Sequence, residues 1–138
     1  MRHPDYGRFV CCPANDAASI KAVHDHMPLY LGLGDVLIVP LADTRLARSQ
    51  MPCKVFEAMA MGKPIMASAL ADLPDVLDGC GRLVQPDDVA DVAQALAEIL
   101  DDPAAAWQMG ERARERCLKQ YGADSSRHAL LALLEELR

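Results

Sequence analysis

The residues best placed to do chemistry lie in one stretch, Ser49-Gln-Met-Pro-Cys-Lys-Val-Phe-Glu-Ala-Met-Ala-Met-Gly-Lys-Pro-Ile-Met-Ala-Ser68. Lys54 falls in the first turn of a predicted helix, where the helix dipole disfavours a cation by on the order of a few tenths of a kcal/mol. Arg45 and Arg48 precede it in a loop. Three cations around a helix N-terminus, with free backbone N–H groups pointing the same way, suit a phosphate. Glu57 lies one turn further on, inside the apolar run Val55-Phe56-Ala58-Met59-Ala60-Met61. A carboxylate there can accept hydrogen bonds from two vicinal hydroxyls, such as a ribose offers. The same spacing also permits a solvated Lys54–Glu57 pair at i,i+3, in the weaker orientation, contributing about 0.2–0.5 kcal/mol. Residue chemistry leaves both readings open.

The elements that must position these groups can be read from punctuation and apolar runs. Asp35-Val-Leu-Ile-Val-Pro-Leu41 is a strand-length run without alternation, which suits a strand buried on both faces of a parallel sheet. Pro52 stands where a helix starts, because the first helical position has no use for an N–H. Gly62 ends that helix, Pro64 forbids its continuation, and Ile65 to Ala67 reads as the next strand. In open α/β sheets the loop after such a strand faces the ligand crevice.

The run Pro52-x-Lys54-x-Phe56-Glu57-Ala58-Met59-Ala60-x-Gly62-Lys63-Pro64-Ile65-x-Ala67-Ser68 resembles the signature of the C-terminal domain of group 1 glycosyltransferases. These are glycogen-synthase-like, retaining enzymes of GT-B fold with nucleotide-sugar donors. Gly34 to Pro40 resembles the family's strand before the donor loop. Leu73 to Gly79 and Gly81 to Pro86 resemble its next two landmarks, so the likeness runs from about Phe9 to Tyr121. It implies that Lys54 and Arg48 contact the donor diphosphate, together with backbone amides near Met51, Pro52 and Cys53. It also implies that Glu57 holds the ribose and that Ser49 lies near the sugar. Ser49, eight positions before Glu57, stands where the family usually carries a first glutamate. No catalytic residue can be named, and neither a metal nor a cofactor other than the donor is expected.

Composition bounds the remaining classes. At 138 residues the chain is one domain at most. Its 51% hydrophobic and 25% charged residues mark a folded chain rather than a disordered one. A net charge of −6 argues against nucleic-acid binding and sets the local cations apart. No stretch reaches the roughly 20 apolar residues of a membrane span, and the N-terminus lacks the apolar core of a secretory signal. The expected location is cytoplasmic. Five cysteines without metal-ligand spacing read as reduced and structural, Cys53 being the one whose thiolate its surroundings favour.

Along the chain, Arg8 to Cys12 reads as a short strand. Asn15 or Asp16 caps a helix carrying Ile20, Val23, Met27, Tyr30 and Leu31, which Pro28 kinks or interrupts, with His24 and His26 solvated. Ala69 to Leu77 is a loop and short helix, and Arg82 to Val84 a strand. A helix from Val89 to about Leu100 places Val89, Val92, Ala93, Leu96, Ile99 and Leu100 on one stripe. The next lines up Trp107, Ala113, Arg114, Cys117 and Tyr121, with Trp107 as a core anchor. Asp124 or Ser125 caps a last helix, Ser126 to Arg138, with Leu130, Leu133, Leu134 and Leu137 on one face and Leu131 beside them.

The expected fold is α/β: a partial Rossmann-like three-layer domain with a parallel sheet of about four short strands, the nucleotide-binding half of a GT-B fold. Residues 1–122 form that domain and 123–138 an amphipathic C-terminal helix. The resemblance implies a nucleotide-sugar glycosyltransferase present as its donor-binding part and not active alone, because the family's first domain and the second domain's opening strands are missing. The expected partners are the donor and either a separately encoded N-terminal domain or a second copy meeting Leu130, Leu133, Leu134 and Leu137. The alternative is a non-catalytic module that binds a nucleotide or a partner chain.

Overall fold

A computed structural model of the chain describes residues 2–3, 7–8 and 27–137. Strands β1 (Arg2–His3) and β2 (Gly7–Arg8) pair antiparallel. The expected strand to Cys12 beyond Arg8, the cap at Asn15 or Asp16, and the positions of Ile20, Val23, His24 and His26 lie outside the described residues. Helix α1 (Met27–Leu33) is helical on both sides of Pro28.

The chain then alternates strands and helices. In order come β3 (Leu37–Val39), α2 (Arg45–Arg48), α3 (Cys53–Ala60), β4 (Ile65–Ser68), α4 (Leu73–Val76) and β5 (Arg82–Val84). Helices α5 (Val89–Asp101) and α6 (Pro103–Arg116), a π-helical turn (Cys117–Tyr121) and α7 (Ala123–Glu136) follow. The three strands run parallel in the order β3-β4-β5, with Leu37 opposite Ile65 and Met66 opposite Arg82. Among the described residues this sheet has three strands where about four were expected.

Central strand β4 is buried throughout, and its side chains alternate between two cores as the strand period requires. Ile65 and Ala67 pack with Val39, Val55, Ala58, Met59, Leu73 and Cys117. Met66 packs with Val84, Ala95, Ile99 and Ala106. Helices therefore cover both faces, giving the three layers that an apolar, non-alternating strand predicts. Helix α6 serves both cores, with Ala106 in one and Ala113 in the other.

Three expectations about helix faces are corrected. Trp107 is 64% exposed rather than a core anchor. The expected stripe holds at Ala113, Cys117 and Tyr121, and Ala106 and Gly110 complete the buried face in place of Trp107. These small residues let the helix approach so closely that a Cβ on Gly110 would lie 2.7 Å from the carbonyl carbon of Gly62. In α5 the inward positions are Val92, Ala95, Leu96 and Ile99, while Val89, its first residue, is 81% exposed. Helix α7 begins at Ala123 with Gly122 as its cap, because the Ser125 hydroxyl donates to Lys119 O of the preceding turn.

Candidate functional site

The loops leaving the three parallel strands are tied together at the C-terminal edge of the sheet. After β3, Leu41 N–H donates to Ser68 Oγ at the end of β4 (2.8 Å). Two residues on, Asp43 N–H donates to Asp87 Oδ2 in the loop after β5 (3.1 Å). Ser68 is 2% exposed, the only buried polar residue among those described. Its acceptor oxygen gives the otherwise orphaned Leu41 N–H a partner.

Thr44 then starts α2, its hydroxyl accepting from Ala47 N–H (3.1 Å). Arg48, at the end of α2, meets Asp43 through two parallel bonds, Nε to Oδ1 at 2.6 Å and Nη2 to Oδ2 at 2.7 Å. Hydrogen bonding from the Arg48 guanidinium holds the Asp43 carboxyl below its ordinary range, and the same bond raises Arg48. The Ser49 hydroxyl donates to Leu46 O (2.9 Å), so this side chain finishes α2. Met51 is half-buried against the core beside Phe56.

Helix α3 starts one residue later than expected. Pro52 is its cap rather than its first helical residue, and it has no side chain able to accept. Cys53 and Lys54 are exposed in the first turn. Val55 N–H returns to Pro52 O (3.0 Å). No described group accepts from the N–H groups of Met51, Cys53 or Lys54. The Lys54 and half-buried Glu57 side chains pair neither with one another nor with any other described group. The solvated Lys54–Glu57 pair is therefore not formed. Arg45 is likewise exposed and unpaired among the described residues.

The structure thus places Arg48, Ser49, Met51, Pro52, Cys53 and Lys54 on one segment that runs from the end of α2 into the first turn of α3, with Glu57 a turn further along that helix. Sequence reasoning gave no role to Asp43, Asp87 or Ser68. The five-residue step from Asp43 to Arg48 across the Thr44 cap was a readable signal, but the contacts to Ser68 and Asp87 span 27 and 44 residues and left none. Among the described residues no cluster of His, Cys, Asp and Glu is arranged for a metal. No described helix is long and apolar enough to cross a membrane.

A parallel sheet covered on both faces, with unpaired helix-terminal N–H groups at its C-terminal edge, is the plan of nucleotide-binding α/β domains. The family of group 1 glycosyl transferases matches residues 14–102, and the chain belongs to it. It is 37% identical over 83 residues to the MMP alpha-(1->4)-mannosyltransferase of Mycolicibacterium hassiacum, covering 58% of this chain and 20% of that protein. Against the glycogen synthase of Mycobacterium tuberculosis it is 39% identical over 67 residues, covering 47% of this chain and 16% of that one. Sucrose-phosphate synthase from Thermosynechococcus elongatus superposes with a TM-score of 0.72 and 29% identity, over 83% of this chain and 28% of that one. HepE from Anabaena, in complex with UDP, shares the fold at a TM-score of 0.63 and 13% identity, over 86% of this chain and 37% of that one. The chain therefore spans a fifth or less of the two curated relatives. The fold is a partial Rossmann-like domain of the GT-B kind.

Proposed function

We propose that this chain is the donor-binding part of a nucleotide-sugar glycosyltransferase, working in the cytoplasm. The reading is carried by the start of α3, where Lys54, Glu57 and the N–H groups of Met51, Cys53 and Lys54 have no partner among the described residues. A helix start carries roughly half a positive charge, and Lys54 adds a full one where a stability argument alone would put an acid. The diphosphate of a nucleoside-diphosphate sugar lies over these N–H groups and is met by Lys54 and Arg48. Glu57, one turn along, accepts from the two ribose hydroxyls. The sugar lies towards Ser49, with Met51, Pro52 and Cys53 contributing backbone.

Charge developing on the leaving diphosphate is stabilised by these fixed donors as the glycosyl bond breaks. None of the site side chains is assigned as a general base. Transfer also needs an acceptor held against the donor, and the acceptor-binding wall belongs to a further domain. The chain alone is then a binder rather than a catalyst. Its α7 leucines are the surface such a domain would cover.

Calorimetric titration of the chain with UDP and GDP tests the assignment. Glu57→Ala weakens binding by roughly 1.5–3 kcal/mol, the scale of lost charged hydrogen bonds. An affinity that does not change removes Glu57 from the site. A second reading, a non-catalytic module that works through a partner, is favoured by the exposure of Leu130, Leu133, Leu134 and Leu137. Glycosyl transfer appearing when an N-terminal domain is supplied would exclude it.

A further inference from the structure

Arg48 does not stand free at the site. Its Nε and Nη2 are taken by Asp43 at 2.6 and 2.7 Å, so the carboxylate holds the guanidinium by one side edge. The Nη1 hydrogens and the second Nη2 hydrogen remain, forming a second edge that suits two phosphate oxygens. Asp43 is itself fixed by its backbone, since its N–H donates to Asp87 Oδ2. Asp87 has φ +61°, a left-handed conformation in which aspartate is commoner than most residues other than glycine. Two residues before Asp43, the same loop is fastened to buried Ser68. The loop that leads into Arg48 is therefore tied to the end of β4 and to the loop that follows β5.

From this geometry we infer that Asp43, braced by Asp87, is a positioning residue that presents the free edge of Arg48 to the donor diphosphate. The inference rests on the donor-site reading above. As a stability device the pair contributes modestly, because both partners are exposed to solvent and salt. As a positioning device it removes much of the rotamer freedom that a free arginine would lose on binding. Asp43 also brings a negative charge near an anion, but the Arg48 guanidinium lies between the two and its positive charge offsets that repulsion. Ordering of Arg48 wins.

The experiment is calorimetric titration of the full chain with UDP at physiological salt, circular dichroism confirming that each variant is folded. Arg48→Ala weakens UDP about tenfold or more, as loss of a charged donor does. Asp43→Ala weakens it by about threefold to tenfold, the scale of one immobilised long side chain. In the Arg48→Ala background, Asp43→Ala then adds nothing, because Asp43 acts through Arg48. Asp87→Ala also weakens UDP, while Asp87→Asn, which keeps an acceptor oxygen, restores wild-type affinity.

Unchanged or tighter binding by Asp43→Ala overturns the inference, as does an equal loss with and without Arg48. If Arg48→Ala, Lys54→Ala and Glu57→Ala all weaken UDP and Asp43→Ala does not, the inference fails and the donor site stands. If UDP does not bind, or none of those three variants matters, the donor-site reading fails and takes the inference with it.

Discussion

Cys53 opens α3 and lies exposed beside Lys54, whereas Cys80 and Cys117 are buried with their thiols turned to Val76 O and Phe56 O. Burial pushes both buried thiols up, so neither offers thiolate near neutral pH. Brief iodoacetamide labelling followed by peptide mapping should modify Cys53 well before Cys80 or Cys117, and UDP should slow Cys53 alone. Equal rates for Cys53 and Cys80 would mean that the packing around α4 opens readily. Asp43 supplies the pH prediction. Its folded carboxyl titrates below the unfolded value, so the contact with Arg48 is complete above about pH 4 and is lost as pH falls through the lowered value. A carbon-13 titration of the Asp43 carboxyl should show that depressed midpoint. Arg48→Gln should return it towards 3.8, and a midpoint that Arg48→Gln leaves in place would assign the depression to another cause.

Helix α6 owes its position to close approach. A Cβ on Gly110 would strike the backbone of Gly62 and Lys63, so Gly110→Ala must push the helix off the turn that ends α3. The expected loss is about 3 kcal/mol, read from urea unfolding, because overpacking against backbone has nowhere to relax. Gly79→Ala is the control. Gly79 has φ +68° and open space around it, so only conformational strain of about 1–2 kcal/mol applies. Equal losses would show that the Gly110 contact yields. This close approach also explains what was legible in the sequence. Strands β3, β4 and β5 and helix α3 were readable because apolar runs and Gly62, Pro64 and Pro86 mark them locally. The inward face of α6 was legible only at Ala113 and beyond, because the alanine and glycine at 106 and 110 carry little apolar signal and Trp107 carries a strong one while facing solvent. At the site, the cations and Glu57 were legible by type and spacing. The fastening of the Leu41–Asp43 loop by Ser68 and Asp87 was not, since it depends on which strand ends come together.

No residue of α7 is buried, although Leu130, Leu131, Leu133, Leu134 and Leu137 are all 47% exposed or more. A helix that carries this much apolar surface gains little from the body of the chain, since burial rather than propensity supplies most helix stability. On the expected division at 122/123, the stability of the sheet and its two cores resides in residues up to about Tyr121. The leucine face is the surface that the proposed function gives to another molecule. Replacing Leu130 and Leu134 together by glutamate separates the two roles that apolar residues play. If the face serves association, the unfolding midpoint in urea should move by no more than about 0.5 kcal/mol equivalent, as for ordinary surface positions. Any concentration dependence of sedimentation should disappear in the same variant, because two carboxylates cannot be buried unpaired in an apolar contact. A loss of about 2 kcal/mol or more would place those leucines against the body of this chain. The boundary at 122/123 would then divide one cooperative unit rather than separate a folded domain from an association surface.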